Sequence, residues 1–168
     1  KITDSDGSLI GILLTDYYSR PAKRGGAWMN NFRNQYVTAK GEDIRPVIVN
    51  VANFPKPSGE QPSLLSLDEV RTMFHEFGHA LHGLLSKCRY KDVSGTSVAR
   101  DFVELPSQIN ENWAFIPEVL DTYARHYQTG EVIPDSLVAK IAESRTFNQG
   151  FMTTELVAAS ILDMKWHE

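Results

Sequence analysis

The sequence predicts an α+β fold, with a sheet-rich part over residues 1–63 followed by a helical part over 64–168, the two forming a single unit. Three observations carry this. Runs suited to strands lie between Leu9 and Phe54. A connector rich in proline, PKPSGEQPS, fills 55–63 and reads as a loop, because proline and glycine interrupt regular structure. From Leu64 onward the apolar residues recur at helical spacing.

The elements follow in chain order. LIGILLTDYY (9–18) and AWMNNF (27–32) flank the Lys23–Arg24–Gly25–Gly26 turn. In RPVIVNVANF, the β-branched run Val47, Ile48, Val49 and Val51 is bounded by Pro46 and Pro55, as a largely buried strand is. Ser66 and Glu69 are spaced as a capping box, in which each side chain satisfies the other residue's backbone N–H. The helix they open carries Val70, Phe74, Phe77, Leu81 and Leu84 and runs to about Ser86. A loop follows over 87–99, and further helices are expected near 101–114, 117–128, 135–145 and 147–167. Trp28, Trp113, Trp166 and the tyrosines of YARHYQ are expected in the core.

Composition excludes several classes. With 17 basic and 21 acidic residues the net charge is −4, and no basic run suggests nucleic acid or an anionic membrane as a partner. The longest early apolar run, LIGILL, is too short to cross a bilayer and has no basic leader. Cys88 is the single cysteine and so forms no internal disulfide, which fits a reducing compartment and a cytoplasmic setting. Lys1 in place of methionine and an unclosed helical pattern at Glu168 suggest a piece of a longer chain.

Residues 74–82 read FHEFGHALH. On a helix beginning at Ser66, His75 and His79 project from one face, one turn apart, and two imidazoles so placed can share an ion. Glu76 falls beside that ion rather than on it. This is the H-E-x-x-H arrangement of two zinc ligands and a general base. His82 and Leu85 stand where the metzincin pattern requires glycine and histidine, which excludes that class. A catalytic zinc needs a third protein ligand. Glu104, among Phe102, Val103, Leu105 and Ile109, is one choice, since a carboxylate turned inward there needs a cation. Asp101 and Glu111 compete with it, and Pro106 obscures where the helix begins.

HEFGHALHGL followed by SGTSVARDFVELPSQINENW (94–113) resembles the thimet-oligopeptidase family of zinc peptidases, and is most similar to its bacterial peptidyl-dipeptidase branch. The resemblance extends from residue 6 to residue 167. It implies a zincin-like catalytic core with one Zn²⁺ held by His75, His79 and Glu104, and with Glu76 as catalytic base. It also implies short peptide substrates, cut internally or shortened by C-terminal dipeptides. Members of the family carry a helical region before this segment and further active-site donors after it. The remaining segments of the full-length chain are therefore expected partners, and the isolated chain is expected to be weakly active or inert. A zinc-containing module that binds peptides without cutting them is the rival reading.

Other positions carry weaker expectations. Ala52 and Asn53, in the strand before the histidine-bearing helix, are candidates to present backbone groups to an extended substrate, as edge strands do, and Gly25–Gly26 are candidates to face it. Asp101, Gln108 and Glu111 are candidates to orient a ligand histidine through its second nitrogen. His82 is expected to be a partly exposed helix residue, and Cys88 to be structural.

Overall fold

The computed structural model describes residues 1–168. Six strands, β1 (Ile2–Thr3), β2 (Leu9–Tyr18), β3 (Trp28–Arg33), β4 (Tyr36–Val37), β5 (Asp43–Ile44) and β6 (Val47–Phe54), precede five helices. The helices are α1 (Leu67–Leu84), α2 (Leu105–Trp113), α3 (Pro117–Tyr123), α4 (Asp135–Ser144) and α5 (Gln149–His167). The fold is α+β, with a small mixed sheet and helices. Contacts group into two compact units, 1–116 and 117–168, so the change from strands to helices at 63/64 lies inside the first.

In the first unit the main sheet runs β1-β2-β6-β3. β6 pairs parallel with β2 and antiparallel with β3. It is thus an interior strand, as the β-branched run suggests, which leaves Ala52 and Asn53 no free edge to offer a substrate, and β3 forms the free edge. A strand flanked on both sides suits the run of Val47, Ile48, Val49 and Val51, whereas the more polar WMNNFR of β3 suits an edge. β4 and β5 form a separate two-stranded ribbon. The fully buried Gln35 ties it down, donating to Asp43 Oδ1 (2.9 Å) and accepting from the Cys88 backbone N–H (2.7 Å).

α1 lies on the sheet. Ile48, Ala80 and Leu84 form the buried centre, with Ile2, Ile10, Leu13 and Met29 around it. The approach is close because Gly83 has no side chain: a Cβ there would stand 2.7 Å from Ile48 Cδ1. The capping box forms as the sequence predicts, with Ser66 N–H donating to Glu69 Oε2 (2.8 Å) and Glu69 N–H to Ser66 Oγ (3.2 Å). At the other end Arg45 donates to the Leu84 carbonyl (2.9 Å) and the Ile10 carbonyl (2.7 Å). A guanidinium on a terminal carbonyl satisfies an orphan acceptor and complements the helix dipole, and here it also ties α1 to β2.

Two helices are shorter than the sequence predicts. α2 begins at Leu105, because Pro106 fits only a first turn. α3 stops at Tyr123, where the chain turns back on itself. Gly130 adopts φ 73° there, Ile133 N–H donates to the Ala124 carbonyl (2.8 Å), and His126 N–H to that of Glu131 (2.8 Å).

The aromatic residues expected in the core are not there: Trp28, Trp113, Trp166, Tyr123 and Tyr127 are all exposed. In the first unit the reason is dimensional. One helix on one sheet face encloses a thin interior, filled by medium and small side chains, and strand alternation that turns Met29 toward α1 turns Trp28 away. In the second unit α5 leaves Phe151, Leu156 and Trp166 exposed. No helix is long and apolar enough to cross a membrane.

Candidate metal centre

α1 and α2 meet where α1 has no side chain. A Cβ on Gly78 would lie 2.6 Å from Ser107 Cα and 2.8 Å from the Pro106 carbonyl oxygen, so only glycine admits α2 at this distance. Asn110 fastens the crossing by donating to the Phe74 carbonyl (2.6 Å). The result brings Glu104, at the N-terminal end of α2, over the face of α1 that carries His75 and His79.

The rings of His75 and His79 stand 4.9 Å apart and nearly perpendicular, at 83°. Their Nε2 atoms both face one oxygen, Glu104 Oε2, at 3.2 Å and 3.1 Å. The ligand atoms of His75, His79 and Glu104 all lie within 4.8 Å of one another. Ser107, fully buried, donates to Glu104 Oε2 (2.8 Å). That bond is the chief cause holding the Glu104 carboxyl below the ordinary glutamate range, with the two histidines adding to it. Burial lowers the pKa of His79 and so favours its neutral, ligand-competent form.

The donor set fits a cation. His75 Nδ1 lies 2.7 Å from Glu111 Oε1. When that nitrogen carries the proton, Nε2 presents a lone pair toward Glu104 Oε2. Two lone pairs at 3.2 Å repel unless a positive charge lies between them. Two imidazoles and a carboxylate, with a second carboxylate behind one imidazole, make a donor set suited to zinc.

Glu76 is nearly buried, at 8% exposure, and its Oε2 has no hydrogen-bond partner. Burial raises its pKa, and the negative charge of Glu104 adds to the rise against the opposing effect of His75. It opens into a cleft of about 420 Å³ with the two histidines and Glu104, walled by Trp28 and Val103 among others.

The sequence-predicted residues thus divide. His75, Glu76, His79 and Glu104 meet at one place. Of the three residues offered as orienting partners, Glu111 bonds His75, whereas Asp101 and Gln108 are exposed and bond neither histidine. Ala52 is buried within the sheet. Asn53 does not face the cleft but donates to the Arg24 (2.7 Å) and Gly26 (2.8 Å) carbonyls. Gly26 adopts φ 94°, a conformation natural to glycine, and leads the chain from this clasp into Ala27 and Trp28 on the cleft wall. His82 is half-buried and packs edge-on to Phe102, with ring centroids 6.1 Å apart. Sequence reasoning missed Ser107, Asn110 and Trp28. The i, i+3 spacing of Glu104 and Ser107 is a signal for the first of these.

A family model described as peptidase family M3 matches residues 1–168. Among curated relatives, the chain is 48% identical over 167 residues to a dipeptidyl carboxypeptidase of Escherichia coli. It is 40% identical over 172 residues to an organellar oligopeptidase A of Arabidopsis thaliana and 38% identical over 168 residues to oligopeptidase A of Escherichia coli. Each alignment takes in 99% of this chain but only 24%, 22% and 25% of the respective relative. The chain therefore spans about a quarter of the length of these proteins.

Proposed function

The chain belongs to peptidase family M3, and on that premise we propose that it is the zincin-like core of a zinc-dependent peptidase that acts on short peptides. The observation that carries this reading is the convergence of His75, His79 and Glu104 within 4.8 Å, beside the unpartnered Glu76 carboxylate oxygen. His75, His79 and Glu104 hold the zinc, which supplies Lewis acidity at the cleft by acidifying water and polarising a carbonyl.

The chain's own residues do the rest. Glu76 accepts the proton of the attacking water at Oε2, where no other donor competes for the oxygen. It then passes that proton to the leaving amine. Glu111 orients His75, and Ser107 orients Glu104. β3 presents its free edge beside Trp28 and Met29 of the cleft wall, so an extended peptide bonds there by strand addition. The greater identity to a dipeptidyl carboxypeptidase than to oligopeptidase A favours release of C-terminal dipeptides over internal cleavage.

Glu76→Gln tests the reading. Zinc content, measured by elemental analysis, stays near one per chain, while peptide hydrolysis by the zinc-loaded protein falls by about 100-fold or more. Hydrolysis at an unaltered rate would remove Glu76 as the base. Zinc content unchanged in Glu104→Ala would remove the three-ligand centre. Zinc binding with no hydrolysis, by this chain and by a longer form of the protein alike, leaves a peptide-binding module.

A further inference from the structure

A second cleft adjoins the metal cleft. It shares Ala27, His75 and Glu76 with the first and extends past them to Arg71, Thr72 and Glu111. Arg71 is the one cationic side chain lining it. Its guanidinium is largely uncommitted. One N–H reaches Asp68 Oδ1 at 3.5 Å, Nε lies 3.9 Å from Glu111 Oε2, and the group rests over the Phe115 ring at 5.6 Å. Only the first of these is within hydrogen-bond distance, and a guanidinium has five N–H donors. The side chain is 40% exposed, and Asp68 is 90% exposed, so solvent weakens that pairing.

We infer that Arg71 binds the free C-terminal carboxylate of the substrate, and so determines where the peptide is cut. This rests on the peptidase reading above. Glu76 delivers its proton to the leaving amine, so the departing piece of the substrate begins beside Glu76. The cleft that contains Glu76 and leads away from Glu104 is the one that ends at Arg71. Arg71 is five residues before Glu76, about 7.5 Å along α1 at about 1.5 Å per residue. Two extended residues span roughly 7 Å. A dipeptide starting at Glu76 therefore brings its carboxylate to the guanidinium, whose planar fork matches a carboxylate in two parallel bonds. The acidic Glu76 and Glu111 on either side disfavour a carboxylate placed anywhere else in this cleft.

The test uses binding as well as turnover. A dipeptide and its C-terminal amide are titrated against the zinc-loaded chain, and peptides ending in a free acid or an amide are compared as substrates. The unaltered chain binds the free acid tighter than the amide by on the order of 10- to 100-fold, the worth of a charge-assisted pair. Arg71→Gln abolishes that preference by weakening the free acid alone, and Arg71→Lys keeps part of it, because lysine retains the charge without the fork. Equal binding of acid and amide by the unaltered chain overturns the inference. So does a preference that survives in Arg71→Gln, or an Arg71→Gln defect confined to zinc affinity, which would make Arg71 a support for Glu111 only. The two readings fail separately. Hydrolysis of acid and amide peptides alike sinks the role of Arg71 and leaves the peptidase standing. A free-acid preference lost in Arg71→Gln, with no hydrolysis in any form, does the reverse.

Discussion

His75 Nδ1 lies 2.7 Å from the Glu111 carboxylate, which joins a turn of α1 to the last turn of α2 through the histidine that faces Glu104. Fixing the proton on Nδ1 leaves Nε2 free as a ligand and holds the ring plane. Removal of such a partner typically costs a metal site 10- to 100-fold in affinity. Glu111→Ala is therefore expected to weaken zinc binding by about that factor, as read by competition with a chelator. Gln108→Ala, on an exposed face of the same helix, is expected to leave it unchanged.

The crossing of α1 and α2 is the mechanical basis of the centre. A Cβ at Gly78 meets the Ser107 Cα at 2.6 Å and the Pro106 carbonyl at 2.8 Å, both backbone atoms that no rotamer change can clear. Gly78→Ala is expected to destabilise the fold by about 1–3 kcal/mol, the usual cost of overpacking. It is also expected to weaken zinc binding, because α2 carries Glu104 and Ser107 away together. Denaturant unfolding and zinc titration check the two effects. Gly150→Ala, where nothing lies within 4 Å, serves as the control and leaves both unchanged or slightly improves stability.

The loop before β3 is clasped at two points. Asn53 donates to the Arg24 and Gly26 carbonyls, and Lys23 Nζ donates to the Asp16 (2.7 Å) and Tyr18 (3.0 Å) carbonyls. Asn53→Ala removes two hydrogen bonds that hold Ala27 and Trp28 on the cleft wall. The expected result is a loss of about 1–2 kcal/mol in stability, faster amide exchange over residues 24–28, and weaker peptide binding with zinc affinity intact. Equal loss of zinc would contradict a role confined to the wall.

How far the sequence could be read follows from the range of each interaction. The capping box and the two-histidine stripe depend on spacings of three and four residues, and both lie where spacing puts them. The proline-rich connector and the β-branched run are equally local signals. The place of β6 inside the sheet is not local, because it depends on β3, some twenty residues earlier, folding back against it. The same applies to the orienting partner of His75. Glu111 was one of three candidates until the start of α2 at Leu105 fixed its phase, and with that phase Ser107, Asn110 and Glu111 face α1 while Gln108 does not. The aromatic residues misled for another reason. Hydrophobicity favours burial, but in the first unit the interior of a single-helix, single-sheet layer has no room for Trp28 and Trp113.

Glu76 gives a stability signature that needs no turnover. Its carboxyl is buried and unpartnered at Oε2, and burial is the chief cause of a folded pKa above the ordinary 4.5. A group whose folded pKa is raised contributes stability that is fully present below its unfolded value and lost as pH rises through the folded one. In the metal-free chain, Glu76 therefore favours folding below pH 4.5 and ceases to do so above its raised value, where a buried carboxylate must ionise. Glutamine has the same shape and no charge. Glu76→Gln is expected to have a higher melting temperature than the unaltered metal-free chain at pH 7, and the gap should close as pH falls to about 4.5. His79 titrates the opposite way, because burial lowers its pKa. It is present in both proteins, so its contribution largely cancels in the difference. A gap that stayed constant from pH 4 to pH 8 would mean that glutamine stabilises through packing or a new hydrogen bond, and that Glu76 is not held above its ordinary pKa.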